Sequence, residues 1–443
     1  MDIAQFLPQL GGFAFTLIAF VVALSIIVAI HEYGHYIVGR WCGIHAEVFS
    51  LGFGPVLARR TDRRGTVWQV AALPFGGYVK FLGDANAASV GAADVIEEER
   101  RRTMLGAPLW ARALTVAAGP VFNFALSFVI FAVVILWDGV AADPVRIAAI
   151  DPLPPAYEVA LEPGDEILAI DGRPVTGLEG LGGVLDAAAP AQVLTYTVRR
   201  DGTQMDVTGP WPSAPVARAL QPGSAAYEAG VRPGDVVTAV DGAPIHTFDA
   251  LVDRVTAAEG APITLTLWQD GATRDLTMSP RRVDLPDPEG GFETRWLIGI
   301  SGGLVFDLAT ETPGLWQTVT QSAGQVWSLI VSSLSGLWHM VSGAISSCNL
   351  SGPIGIAQAS GAMASQGGQS FVWFVAVLST AVGLLNLFPI PVLDGGHLVF
   401  HAYEAVARKP PSEGALRVLM AVGLSMILTL MLFAIANDLF LCP

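Results

Sequence analysis

The stretch FAFTLIAFVVALSIIVAI at residues 13–30 runs without a break into HEYGH at residues 31–35. Its 18 residues carry no charge, which is enough for a membrane span, and they deliver an H-E-x-x-H pattern into or beside hydrocarbon. Residues four apart on a helix differ by about 40° in direction and ~6 Å in height, so His31 and His35 present their rings to one point. Two neutral imidazoles suit Zn²⁺, and Glu32 can reach water at such a metal as a general base. The pattern also arises by chance, but His and Glu at membrane depth are costly unless paired or coordinating.

The rest of the chain agrees with that solvent. At 443 residues, 52% hydrophobic and 14% charged, with mean hydropathy +0.53, it is too apolar for an ordinary soluble enzyme of this size. Further apolar blocks at residues 111–137, 371–390 and 418–436 bring the expected spans to four, with both termini on one side. Residues 36–137 hold 10 Arg/Lys against 7 Asp/Glu, whereas residues 138–370 hold 11 against 26. The positive-inside bias places the first loop in the cytoplasm and the long acidic region outside it. The first ten residues lack Lys and Arg and no A-x-A site follows the apolar run, so the first span is expected to be retained.

Residues 46–82 alternate short β-branched and aromatic runs with Gly and Pro, the signature of a hairpin or small sheet, here expected to dip into the membrane interface. Residues 84–106 are polar and read as an exposed helix or loop. AGPVFNF at residues 118–124 opens the second span with small residues that allow close helix contact. Asn123 there wants a partner within the bundle, and both helix packing and a part in the site stay open.

PGDEILAIDG at residues 163–172 recurs as PGDVVTAVDG at residues 233–242, a shift of 70. Each copy reads as a strand closing at an Asp-Gly turn, followed by a helical stretch and a strand pair that turns at Asp201-Gly202 or Asp270-Gly271. The unit resembles the PDZ domain in its bacterial form, which adds a ligand's C-terminal strand to a sheet edge. The second copy has the usual lead-in, GSAAYEAGV at residues 223–231; the first departs from it at Pro154 and Ala160. Peptide binding and steric gating are both open for the pair.

Residues 286–310 read as a Gly-punctuated linker with a strand at residues 295–300. Beyond it, Trp316, Trp327 and Trp338 repeat every 11 residues along an uncharged stretch, predicting an interfacial helix over residues 315–345, with a fifth span as the alternative. The three cysteines form no C-x-x-C motif; a Cys348 to Cys442 disulfide is possible, though connectivity is not legible from sequence.

Catalytic zinc needs a third protein ligand and an open position. NLFPIPVLDGGH at residues 386–397 is the best source, because Pro389 and Pro391 break any helix and such backbone survives at membrane depth only beside protein or water. Asp394 is its ionisable residue, while His397 and His401 are rivals that spacing alone does not exclude.

HEYGH on the first span, GFGP at residues 52–55, GGYVK at residues 76–80, the tandem repeat, SGPIG at residues 351–355 and NLFPIPVLDGGH occur in one order along essentially the whole chain. Together they resemble the site-2 protease family of intramembrane zinc metalloproteases, in its bacterial regulator of sigma-E protease (RseP) type. The resemblance implies zinc held by His31, His35 and Asp394, with Glu32 as catalytic base. It implies that Asn386 and Pro389, with Gly52, Phe53, Gly54, Gly76, Gly77 and Tyr78, admit or hold an unwound substrate. It further implies transmembrane segments of single-span proteins, such as a pre-trimmed anti-sigma factor, as substrates, in the bacterial inner membrane with the PDZ-like domains in the periplasm.

The expected architecture is therefore a polytopic α-helical membrane protein with four transmembrane helices, a membrane-associated β-hairpin or sheet and two extracytoplasmic PDZ-like α+β domains. The expected segments are a first span at 1–40, β segment and loop at 41–110, second span at 111–138, PDZ-like domains at 145–213 and 214–285, linker and interfacial helix at 286–369, third span at 370–397 and fourth at 415–438. Partners are membrane-protein substrates, lipid and a possible C-terminal peptide for the second PDZ-like domain, with no nucleic acid. A non-proteolytic scaffold would make the metal residues dispensable, and a metal transporter would need neither Glu32 nor peptide-binding domains.

Overall fold

Four helices are long and apolar enough to cross a membrane, over Gly12–Trp41, Leu109–Asp138, Gly368–Asn386 and Glu413–Phe440. The computed structural model describes residues 3–83, 100–187, 191–286 and 292–441. The chain forms two compact units, one of Met1–Val134, Val319–Trp338 and Leu350–Pro443, the other of Ile135–Thr318 and His339–Asn349. Of the polar stretch expected at 84–106, residues 84–99 lie outside the described residues, and Arg100–Arg102 forms a single 3₁₀ turn.

The first unit opens with α1 (Ile3–Trp41), then β1 (Ala46–Thr61), β2 (Val67–Phe81) and α2 (Leu109–Asp138). Along α1 and α2, Phe13, Ile18, Val22, Val121, Val129 and Val133 are exposed apolar side chains, the outer surface a span offers to lipid. β1 and β2 are more than a simple hairpin. Val48, Phe49, Ser50 and Leu51 pair with Lys80, Val79, Tyr78 and Gly77, and also with Val67, Trp68, Gln69 and Val70. The strands can double back this way because Gly52 and Gly54 adopt positive φ (88° and 81°) and Gly76 lies at 145°, conformations that cost glycine little. Among the described residues, Gly77 to Lys80 consequently pair with a strand on one side only.

The second unit contains β3 (Val140–Ala141), β4 (Ile147–Ile150), β5 (Glu166–Ile170), β6 (Arg173–Pro174), α3 (Gly177–Ala187), β7 (Val193–Arg200) and β8 (Thr203–Pro210). The pattern repeats with β9 (Ala219–Leu220), α4 (Ala225–Ala229), β10 (Val236–Val240), β11 (Ala243–Pro244), α5 (Phe248–Ala257), β12 (Ile263–Gln269) and β13 (Ala272–Met278). The sheet orders are β6-β5-β7-β8 and β11-β10-β12-β13, so the sequence repeat is a repeat of topology. All four Asp-Gly pairs carry positive φ at both residues, the turn whose twist suits a two-residue hairpin.

After the repeat come β14 (Arg281–Pro286), β15 (Phe292–Leu297), β16 (Ile300–Ser301), β17 (Phe306–Leu308) and β18 (Thr310–Glu311). These correct the expectation of a linker. β14 pairs with β15, and the chain then retraces itself, β16 pairing with β9, β17 with β4 and β18 with β3. Ile298, Val305 and Phe306 are fully buried in the two cores of this unit. The short strands before each repeat would otherwise leave backbone groups unpaired, and the returning chain satisfies them.

α6 (Leu315–Val341) is the Trp-bearing helix, with Trp316, Trp327 and Trp338 all at least two-thirds exposed; it is not among the four span-length apolar helices. The first unit closes with α7 (Pro353–Ser365), α8 (Gly368–Asn386), α9 (Asp394–Ala407) and α10 (Glu413–Ala436). α7 was not expected. Pro353 starts it, and the Asp438 carboxylate accepts the amides of Gly352, Ile354 and Gly355 at 2.9–3.1 Å, which satisfies its first turn. In the third expected span at 370–397, which the sequence breaks at its prolines, α8 ends at Asn386 and Asp394 begins a separate helix. Pro389 and Pro391 can donate no backbone hydrogen bond, so the helix cannot run through. Cys42 is a free thiol and Cys348 is disulfide-bonded, whereas Cys442 lies outside the described residues.

In both repeats the Asp of PGD is wholly buried and meets an Arg. Asp165 accepts from Arg200 Nε at 2.7 Å and from the Glu162 amide, and Asp235 accepts from Arg274 at 2.6 Å and from the Arg232 amide. Burial pushes the Asp165 carboxyl up, but the hydrogen bonds from Arg200 and Glu162 outweigh it and hold the group below the usual carboxylate range. Its contribution to stability is therefore complete above the unfolded value near ~4 and is lost as pH falls through the lower folded value. Arg200→Met should lower the stability of this unit at pH 7, since the buried carboxylate loses its partner. Asp165→Asn should flatten the acid limb of the unfolding midpoint, followed by circular dichroism from pH 7 to pH 2.

Candidate metal centre

α1 carries His31, Glu32 and His35, and α9 begins at Asp394. The structure brings His31, His35 and Asp394 together: His31 Nε2 lies 3.1 Å and His35 Nε2 3.5 Å from Asp394 Oδ2, and the two Nε2 atoms are 3.2 Å apart. Among the described residues these three form the group able to hold a metal ion. Their side chains are 11%, 13% and 18% exposed, so the centre is shielded without being sealed. His397 and His401, which spacing left as rivals, are not in the group. His397 packs edge-on to Phe400, and the buried His401 Nε2 has no hydrogen-bond partner among the described residues.

The donor set fits zinc. Zinc holds nitrogen and oxygen ligands at ~2.0–2.2 Å in a tetrahedron, which spaces them about 3.3–3.6 Å apart; the observed triangle has edges of 3.1, 3.2 and 3.5 Å. His35 Nδ1 is 2.8 Å from the Thr115 carbonyl, which can only accept, so Nδ1 carries the proton and Nε2 turns a bare lone pair toward the triangle. Asp394 Oδ2 is buried and has no hydrogen-bond partner among the described residues. Lone pairs facing one another across about 3 Å repel unless a cation lies between them.

Why the sequence folds this way is a matter of missing side chains. A Cβ on Gly119 of α2 would collide with His35 Nε2 and come within 2.8 Å of His31 Cε1. Gly34 lets α1 meet the Ala118 backbone, where a Cβ would lie 2.9 Å from its carbonyl carbon. At the other ligand, Gly395 and Gly396 lie against the Leu387, Phe388 and Ile390 carbonyls so closely that a Cβ at either would collide. The broken segment thus folds down onto the start of α9, its backbone held by Ile390 N–H donating to Phe388 O and Leu393 N–H to Ile390 O. Arg112 of α2 clamps α9 to α2 through two bonds to Glu404, at 3.0 and 2.7 Å, a pair that the sequence reading did not find because 292 residues separate its members.

The remaining expected residues lie on two elements. Gly77 of β2 abuts Glu32: a Cβ there would lie 3.0 Å from Glu32 Cγ. Phe53 stacks on Tyr78 at 6.0 Å, beside Gly76, where a side chain would strike the Phe53 ring. Gly52 passes close to the Ala71 and Leu73 carbonyls. Asn386 ends α8 and donates to the Val382 carbonyl at 3.0 Å, and Pro389 is exposed. A cleft of about 440 Å³ between α1 and the β segment is lined by Ala29, Ile30, Tyr33, Leu51, Trp68 and Val70 among others.

One contact tests the site directly. Ala in a helix interior is normally favoured over Gly by ~0.8–1 kcal/mol, so any loss in Gly119→Ala comes from the collision with the imidazoles. Zinc affinity, measured by competition with a chromophoric chelator, should fall by roughly 10–100-fold. Gly182→Ala, on the surface of α3 with nothing within 4 Å, should bind as the parent does.

Comparison with known proteins agrees with this chemistry. The family described as Peptidase family M50 matches residues 19–430. A protein of Rhizobium meliloti named as a zinc metalloprotease is 38% identical over 434 residues, covering 97% of each chain. One of the same description from Agrobacterium fabrum is 36% identical, covering 95% of each. The regulator of sigma-E protease RseP of Salmonella typhimurium is 32% identical over 95% of this chain and 98% of its own. A solved PDZ domain of an SdrC-like protein from Listeria monocytogenes covers 22% of this chain and 93% of its own, at 15% identity and a TM-score of 0.17. That likeness carries no weight, and the description of the repeats rests on their own sheet order. The chain belongs to peptidase family M50, as a zinc metalloprotease of the membrane.

Proposed function

We propose that this protein is an intramembrane endopeptidase that cleaves transmembrane segments of single-span membrane proteins. The observation that carries the reading is the triangle that His31 and His35, on a helix of span length and composition, make with Asp394 at the start of α9, with Glu32 one residue from a ligand. His31, His35 and Asp394 would hold zinc, which when bound would supply Lewis acidity toward a peptide carbonyl and lower the pKa of water. Glu32 takes the proton of the attacking water and returns it to the leaving amine.

A peptide bond in a spanning helix is protected by its own backbone hydrogen bonds, so the substrate must first unwind. The one-sided stretch from Gly77 to Lys80 supports a solution, because an unwound segment pairing with it would regain backbone partners beside Glu32. Gly52, Phe53, Gly54, Gly76 and Tyr78 shape the bends that present this edge, while Asn386 and Pro389 hold the segment from the α8 side. The repeats, at 145–213 and 214–285, act as PDZ-like domains that exclude untrimmed substrates or, in the second copy, receive a C-terminal peptide. The substrate class is a pre-trimmed anti-sigma factor or a remnant signal peptide, in a bacterial inner membrane with the repeats in the periplasm.

Glu32→Gln should lower cleavage of a single-span test substrate in reconstituted vesicles by roughly 10²–10⁴-fold while zinc content stays at the parent's level. Unchanged cleavage would sink the protease reading. Asp394→Asn should lose both zinc and activity, and His397→Ala should keep its zinc; the reverse pattern would move the third ligand to His397.

A further inference from the structure

We infer that Asn123 is a positioning residue for the metal site, accepting the His31 Nδ1 proton through its side-chain carbonyl. The inference rests on the reading of His31 as a ligand. α2 turns one stripe, Thr115, Gly119 and Asn123, each four residues apart, toward the two histidines of α1. Thr115 fixes His35 through its carbonyl, Gly119 makes room for both rings, and Asn123 stands against the far side of His31, with Nδ2 3.2 Å from Nδ1.

Asn123 is wholly buried, and its Oδ1 has no hydrogen-bond partner among the described residues. It is also held from behind. Its backbone carbonyl accepts from Ser127 Oγ at 3.1 Å and from Ser379 Oγ of α8 at 3.0 Å, and a Cβ on Gly383 of α8 would come within 3.2 Å of its Cβ. A side chain locked this firmly, with a polar atom left over and a ligand ring at its other, is placed for that ring.

The chemistry chooses which amide atom faces the ring. A neutral imidazole that gives Nε2 to a metal keeps its proton on Nδ1, and that proton needs an acceptor. The amide oxygen and nitrogen are nearly equal in size, so a half-turn of the Asn123 amide exchanges them and puts Oδ1 at His31 Nδ1. His31 is then oriented by a side-chain carbonyl as His35 is by a backbone carbonyl, and both Nε2 lone pairs point into the triangle. An asparagine serves where a carboxylate would bring a further negative charge into the membrane.

The test compares Asn123→Leu and Asn123→Asp, both close to Asn in size, in the full chain in detergent. Zinc affinity is read by chelator competition and the thermal midpoint is measured on metal-stripped protein. An acceptor role predicts that Leu binds zinc roughly 10–100-fold more weakly and that Asp binds at least as tightly as the parent. A packing role predicts the opposite order, Leu harmless and Asp harmful, and that result overturns the inference. Should Leu fail to fold in the metal-stripped state, Asp decides alone: weaker binding than the parent's overturns the inference, and equal or tighter binding supports it. A parent that holds no zinc overturns the metal-site reading and this inference with it, whereas a parent and Leu variant of equal affinity overturn the inference only.

Discussion

Two imidazole nitrogens and a carboxylate oxygen lie within about 3.5 Å of one another on this chain, and no arrangement of neutral helices tolerates that without a reason. Much of the first unit is organised to permit the approach. Gly34 and Gly119 bring the α1 and α2 backbones together, Gly395 and Gly396 let the broken segment press on α9, and the Arg112 to Glu404 pair ties α9 back to α2. Because each glycine faces backbone or a ligand ring, a methyl group at any of them disturbs the geometry of the centre.

The same contacts address the problem of polar chemistry among apolar helices. Unpaired backbone is costly in hydrocarbon, and the chain breaks its helices where local bonds or neighbouring side chains take up the loss. The segment between α8 and α9 bonds to itself, Asp438 takes up the free amides at the start of α7, and the β segment after α1 pairs Val48 to Leu51 on both sides. Its bends fall at Gly52, Gly54 and Gly76, and it reaches Glu32 at Gly77, the position where a side chain would intervene.

The second unit solves an ordinary folding problem twice. Each repeat buries an aspartate against an arginine at the start of its first long strand and turns on Asp-Gly pairs, so the 70-residue shift is visible in hydrogen bonds as well as letters. The segment taken from sequence as a linker is structural because it pairs along the short strands β3, β4 and β9. The returning chain also supplies Ile298, Val305 and Phe306 for the cores.

What the sequence determined by itself is whatever depends on residues within a few turns of one another. The uncharged run before HEYGH makes a spanning helix, the i to i+4 spacing puts His31 and His35 on one face, Asp-Gly makes tight turns, and Pro389 and Pro391 end α8. The choice among Asp394, His397 and His401 was beyond spacing, since all three share one helix and a partner some 360 residues away decides which of them faces α1. Likewise Asn123 was left open between helix packing and a part in the site, and Gly77 was tied to substrate holding by resemblance alone. Their places beside His31 and Glu32 were set when helices and strands approached to within a methyl group's width, and such approach depends on where side chains are absent on two surfaces at once, which neither local stretch records.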